Sequence, residues 1–418
     1  MDSARWTRIA VGVAVGALVG LGLYATGQVW PLAAAVGVVV ADVVYAGLTL
    51  AQTGEWGPMR VAAGLVAFAT ATYIGIIGFG DFGDANAVDP NTFANTKAAN
   101  SWALILTVAM VIGAVVTYGL ELVQTGRLAS LSWQFGTRTY LLMAVGIGVN
   151  VILGQTVASA LKIPIYLDSI GTILVGVLCG PIAGALTGGL GNILWSYVIP
   201  PPFQYQPAAA FAIVAVAIGV IAGLLGRAGF MRPRPNRSSR ELVAGGAVTL
   251  LLVGTLAWAA SLAYTKIFQT KIDLFPDPAK TDLIFVLLGY LAVALVALAV
   301  VGLFALLLVR RDLTAAYVVV AGVFTGIVAA LISAPIAAGV FGGVTASGTD
   351  FLVAAFRQAG ADVYAATTGQ GLISDPIDKV TTFFTVYLIL SALANRFKAR
   401  FPQGEQVLEE PSLEEPSA

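Results

Sequence analysis

The chain has 418 residues, of which 58% are hydrophobic and 11% charged, and its 22 basic side chains balance 22 acidic ones. Soluble domains carry about a quarter charged residues, so this composition excludes a soluble globular protein, and the neutral balance gives no sign of a nucleic-acid partner. Histidine is absent and Cys179 is the only cysteine, which removes imidazole metal sites, Ser-His-Asp triads, histidine proton relays and internal disulfides, and makes an enzyme the least favoured class.

Apolar stretches near or above the roughly 20 residues that span a bilayer as helix recur along the chain, without the alternation of an outer-membrane barrel. The opening "MDSARWTRIAVGVAVGALVGLGLYATG" places basic residues before an apolar run, as signal peptides do. That run is long and has no clear small-x-small cleavage site, so it reads as a retained first helix. Spans follow near 7–25, 30–50, 60–79, 101–124, 138–160, 168–180, 182–199, 207–227, 241–265, 282–309, 314–341 and 378–396. The fold class expected is therefore an all-α integral membrane protein, a polytopic bundle of about twelve transmembrane helices. The segment 168–180 is too short to cross unaided and must tilt or continue as shielded, unwound backbone.

With a cytoplasmic N-terminus, about 15 Lys and Arg fall on inside segments and 7 on outside ones, which places both termini in the cytoplasm of a cell-membrane protein. The basic connector "RAGFMRPRPNRSSRE" reads as a topology anchor in preference to a lipid-headgroup site. Loops 78–100 and 264–282 then face outward. The organisation expected is an N-terminal extension of about four helices over 1–130, a core over 131–402 with inserted helices near 241–309, and a disordered acidic tail over 403–418.

Three stripes of small residues stand at helical spacing. Gly180, Gly184, Gly188 and Asn192 form one face, Gly146, Asn150 and Gly154 a second with Gln155 beside it, and Gly322, Gly326, Ala330 and Ala334 a third ahead of Pro335. Small faces let neighbouring backbones approach where lipid supplies no hydrophobic drive. An amide at the end of such a face aims at protein instead of lipid, and close packing alone accounts equally well for any one stripe.

Polar groups at membrane depth pair, face a cavity or serve function. The candidates are Asn150, Gln155, Asp168, Asn192, Asp375, Asp378 and Lys379. Asp168 and Asp375 each precede a helical run and also suit an N-cap, and Asp378 with Lys379 suits an ion pair. Tyr166 and Trp195 supply aromatic walls near the same segment, although Trp195 and Tyr197 equally suit an interfacial belt. Residues 341–379 are too polar to span and too apolar for a plain loop, so they read as a partly helical cover over a bundle mouth or a membrane-surface helix. No G-x-x-x-x-G-K-[ST] run occurs, and no helix carries the repeated acids and bases of an ion relay, so uphill transport would need an external engine.

"YLDSIGTILVGVLCGPIAGALTGGLGNIL", "LISAPIAAGVFGGVTASGTDFLV" and "QGLISDPIDKVTTFFTVYLIL" together resemble the substrate-binding (S) component of energy-coupling factor transporters, the vitamin-uptake branch of ABC importers, over about residues 138 to 400. The resemblance implies a six-helix core plus extra helices and a vitamin-sized pocket near the outer face. It implies no intrinsic ATPase or cofactor, and it implies as partners a membrane coupling protein and a pair of cytosolic ATPases. It places Ala144 and Gly148 at the coupling-protein interface and the pocket around Asp168, Asn192, Asp375 and Lys379. The N-terminal four helices and the inserted pair depart from the family pattern. The rival readings are a stand-alone secondary permease and a non-transporting assembly or sensor protein.

Overall fold

The computed structural model describes residues 3–80, 96–155, 166–201, 203–235, 237–269, 283–345 and 347–409, and all their regular structure is helical. The chain divides into two units, Met1–Asp81 with Ser101–Ser132, and Phe82–Asn100 with Trp133–Ala418. Most of loops 78–100 and 264–282 lies outside the described residues.

The first unit holds α1 (Ser3–Ala25), α2 (Trp30–Thr53), α3 (Gly57–Phe79), most of α4 (Thr96–Thr125) and the short α5 (Ala129–Ser132). The first two helices form a hairpin closed by small residues: a Cβ on Gly12 would lie 2.7 Å from the carbonyl oxygen of Ala41, and one on Gly37 would lie 2.8 Å from that of Gly16. Gly64 and Gly113 bring α3 against α4 in the same way. Near the end of α4, the buried Glu121 accepts from the Ser130 backbone at 2.9 Å and from its hydroxyl, with Arg60 at 3.9 Å.

The second unit holds α6 (Thr137–Gly154), α7 (Ile170–Cys179), α8 (Pro181–Tyr197), α9 (Ala212–Arg227), α10 (Ser239–Gln269), α11 (Leu283–Leu308), α12 (Thr314–Phe341), α13 (Asp350–Gln358), α14 (Val363–Ala392) and α15 (Asn395–Lys398). Among the described residues, eight helices are long and apolar enough to cross a bilayer, so the chain reads as multi-pass. The expected total of twelve is not reached by that standard: α7 has 10 residues, α8 has 17, and α14 carries Asp375, Asp378 and Lys379 in its middle.

Glycine sets how this unit packs. The turn between α7 and α8 passes through Gly180 at φ 120°, a conformation that side chains disfavour, and Pro181 then opens α8. Gln134 Oε1 caps that helix by accepting from Ile182 N at 2.8 Å and Ala183 N at 3.3 Å. Gly176, Gly184 and Gly219 meet where α7, α8 and α9 cross, and a Cβ on Gly184 would lie 2.7 Å from the Gly219 carbonyl oxygen. The stripe on α12 lies along α14 in antiparallel register, with Gly322 against Val380, Gly326 against Pro376, Ala330 against Gly371, and Ala334 accepting from the Thr367 hydroxyl at 3.2 Å. The inserted helices α10 and α11 pack on α12 and α14.

Two expectations change. The last long helix, expected over 378–396, begins at Val363 with Asp362 Oδ1 capping Ala365 N at 2.8 Å, and runs to Ala392. The polar cover over 341–379 therefore resolves into α13 and the first turns of α14, and Asp375 sits mid-helix and not at an N-cap. The tail expected to be disordered from 403 packs as far as 409: Gln403 N donates to Leu178 O at 2.8 Å and Val407 is buried. Residues 410–418 lie outside the described residues.

The same end holds part of the basic connector. Arg232 donates to Gln406 Oε1 at 3.2 Å, and the Arg234 guanidinium lies 3.9 Å from the centre of the Tyr317 ring. Asp312 accepts from Arg234 N at 3.1 Å and from the Tyr387 hydroxyl at 3.2 Å. These arginines therefore hold packing contacts in addition to any role in setting topology.

Candidate functional site

At the opposite end of the second unit a cavity opens among the start of α7, the end of α8, the start of α9 and the middles of α12 and α14. About 780 Å³ of space lies between its walls, part of it open to the surroundings. Small-molecule sites combine apolar walls with a few orienting polar groups. Here Ala208, Phe211, Val214, Ala215, Ile218 and Ala329 are the apolar share, Tyr166, Trp195 and Tyr205 the aromatic one, and Asp168, Ser169, Asn192, Ser333, Thr345, Asp375 and Lys379 the polar one.

The charged floor comes from α14 meeting the segment before α7. Asp378 is fully buried and accepts from Tyr166 N at 3.1 Å and Leu167 N at 2.7 Å. These bonds hold Leu167 at φ 51°, a left-handed conformation that costs a non-glycine residue energy. Lys379 Nζ contacts Asp378 Oδ2 at 2.5 Å, Ser169 Oγ at 2.8 Å and Asp168 Oδ1 at 3.8 Å. Asp375, 6% exposed, accepts from the hydroxyls of Ser374 at 3.2 Å and Ser333 at 3.4 Å. Neither Asp168 nor Asp375 caps a helix: the N-cap position of α7 falls on Ser169 and makes no side-chain cap bond, and α14 starts twelve residues ahead of Asp375. Both carboxylates are left facing the cavity.

The aromatic wall is pinned from behind. The Trp195 indole donates to Phe203 O at 2.9 Å and its ring stands 5.2 Å from that of Tyr205. Ser196 Oγ donates to Tyr205 O at 3.1 Å and to Gln206 O at 3.0 Å and accepts from Ala209 N at 2.7 Å, fixing the α8–α9 connection. The Tyr205 hydroxyl donates to Thr345 O at 2.5 Å. Hydroxyls of Thr345, Ser347 and Thr349 then form a chain with 2.8 Å and 2.7 Å links that ends on the Tyr166 hydroxyl at 2.8 Å, with Asp350 accepting from Thr345 at 2.9 Å. The loop before α13 is thereby fastened to both Tyr166 and Tyr205.

Six of the eight residues singled out from sequence line this cavity: Tyr166, Asp168, Asn192, Trp195, Asp375 and Lys379. Trp195 is 3% exposed, which takes it out of an interfacial belt, whereas Tyr197 is 53% exposed. Asn150 and Gln155 are not lining residues. Asn150 sits between α6 and α7, where its Oδ1 accepts from Gly171 N at 2.7 Å and its Nδ2 donates to Thr172 Oγ1 at 2.8 Å. It clamps the two helices at the point where Gly146 and Gly171 touch. Asn150→Ala is expected to cost about 1–3 kcal/mol, the penalty for leaving buried polar partners unsatisfied, and thermal unfolding reads the loss.

Sequence reasoning missed Tyr205, Phe211 and Ser333. Tyr205 follows the run "PPPFQ", and an aromatic in a proline-rich turn between two helices was the available signal. Ala144 is exposed on α6, Gly148 has open space where a Cβ would stand, and Tyr140, Leu141, Val145 and Ile152 are exposed on the same helix. Comparison with known proteins adds nothing to this picture: no family profile, no curated protein and no solved structure matches the chain.

Proposed function

We propose that the protein is the substrate-binding component of an energy-coupling factor type importer, capturing a vitamin or related cofactor precursor in the cavity at Trp195 and Asp375. The observation that carries the reading is the convergence of the three family-like stretches on one cavity: Tyr166, Asp168, Ser169 and Asn192 of the first, Ser333 and Thr345 of the second, and Asp375 with Lys379 of the third line it. Those stretches are far apart in sequence, and packing alone does not require their polar residues to share one cavity. The chain contains no phosphate-binding loop, so the energy comes from ATP hydrolysed by a cytosolic ATPase pair acting through a membrane coupling protein. The open face of α6 around Ala144 and Gly148 is suited to that coupling protein, since small residues admit a second helix backbone. The protein sits in the plasma membrane with both termini cytoplasmic and the cavity end outward.

The test is uptake in intact cells with energy sources removed separately. ATP depletion is expected to abolish uptake and collapse of ion gradients to spare it; Ala144→Leu with Gly148→Leu is expected to lose uptake while keeping ligand binding in the purified protein. Uptake that survives ATP depletion and follows an ion gradient would instead establish a stand-alone permease.

A further inference from the structure

The hydrogen-bonding capacity of the cavity is lopsided. The Trp195 indole N–H is spent on Phe203, the Tyr205 hydroxyl on Thr345 and the Tyr166 hydroxyl on Thr349, so these residues present carbon surfaces to a guest. Lys379 is held by Asp378, Ser169 and Asp168. What remains for a guest is mainly acceptors: the carboxylate of Asp168, 28% exposed, that of Asp375, and the amide of Asn192, which makes no hydrogen bond among the described residues.

Charge points the same way. Asp168, Asp375 and Asp378 stand against Lys379, the one cationic residue lining the cavity among the described residues. Asp378 is closer to Lys379 and accepts two backbone N–H groups besides, so that pair is self-contained. Among the described residues, Asp168 and Asp375 are then left without a full counter-charge, in surroundings where an unpaired carboxylate is costly. Aromatic carbon surface attracts cations through the ring quadrupole, so the walls and the acids favour the same kind of guest.

We infer that the substrate captured here carries a positive charge, an amine or a cationic nitrogen heterocycle, with Asp375 and Asp168 as its counter-ions and Trp195 and Tyr205 as its aromatic wall. This rests on the reading of the cavity as a small-molecule binding site and deepens it. Asn192, with one acceptor and two donor positions on its amide, reads a polar edge of the same molecule.

The experiment equilibrates the purified full-length protein with an equimolar pool of matched heterocycles that differ in one substituent: aminomethyl, hydroxymethyl and carboxylate members of the pyridoxamine, pyridoxine and 4-pyridoxic acid set and of the corresponding 2-methyl-4-aminopyrimidine set. After washing, the protein is denatured and the released molecules are identified by mass spectrometry. The aminomethyl members are expected to be enriched over their partners, and Asp375→Asn and Asp168→Asn are each expected to reduce that retention about ten- to hundred-fold, the loss of one charge-assisted bond. Enrichment of a hydroxymethyl or carboxylate member overturns the charge assignment and leaves the binding reading intact. Retention of nothing from the pool overturns the binding reading and this inference with it. If either variant fails to fold, the ranking on the unmodified protein decides alone.

Discussion

Asp378→Ala is expected to lower the stability of the folded protein by about 3–5 kcal/mol, the usual cost of removing one partner from a buried ion pair. Asp378 is fully buried, accepts from two backbone N–H groups and holds Lys379. Without its carboxylate, Leu167 loses the acceptor that keeps it in a left-handed conformation, and the Lys379 ammonium retains Ser169 and a carboxylate 3.8 Å away. The start of α7 and one corner of the cavity should loosen together. The double substitution Asp378→Asn with Lys379→Met is expected to recover more than half of the lost stability, because it removes the stranded charge and keeps an oxygen for the backbone. Thermal unfolding in detergent, with folded yield by size exclusion, reads both; an Asp378→Ala midpoint equal to that of the unmodified protein removes the ion pair from the account of the fold.

The second large effect is expected at Gly219. A Cβ there would overlap the backbone of Gly184 and Ala185, and backbone has no rotamer into which to retreat. Gly219→Ala is expected to cost about 1–3 kcal/mol, as overpacking does elsewhere, and Gly219→Leu to leave no folded protein. Gly191→Ala serves as the control, because its added Cβ would meet Ile147 at an ordinary 3.6 Å. That change should stay within about 0.5 kcal/mol or stabilise through helix propensity. Equal losses at Gly219 and Gly191 would show that the α7–α8–α9 crossing is looser than its backbone distances require.

The glycine faces were legible because a repeat of four residues survives from sequence to helix surface whatever the partner is. What that repeat could not convey was the partner, and Gly184 meets Gly176 and Gly219 from helices on either side of it in the chain. Asp168 and Asp375 illustrate the same limit: each precedes an apolar run, so local sequence suits an N-cap, and only the position of α14 across from α7 shows both facing a cavity. The start of α14 was missed because its first turns carry threonine, glutamine and glycine, and hydropathy reads polar groups packed against α12 as loop. Asn150 was correctly aimed at protein but sits on Gly171 N and Thr172, a backbone contact that no side-chain pattern announces. Tyr205 and Ser333 reach the cavity from separate connections and helices, and their roles depend on contacts that sequence spacing does not encode.

Native mass spectrometry of the purified full-length protein, comparing it with Asn192→Ala, tests the central claim most directly. The prediction is a stoichiometric small molecule retained by the unmodified protein and lost from the variant, with the two preparations equal in folded yield. A protein that carries no small molecule and takes up none from a vitamin mixture, or a variant whose folded yield falls in step with its ligand, would contradict the assignment of this cavity to substrate capture.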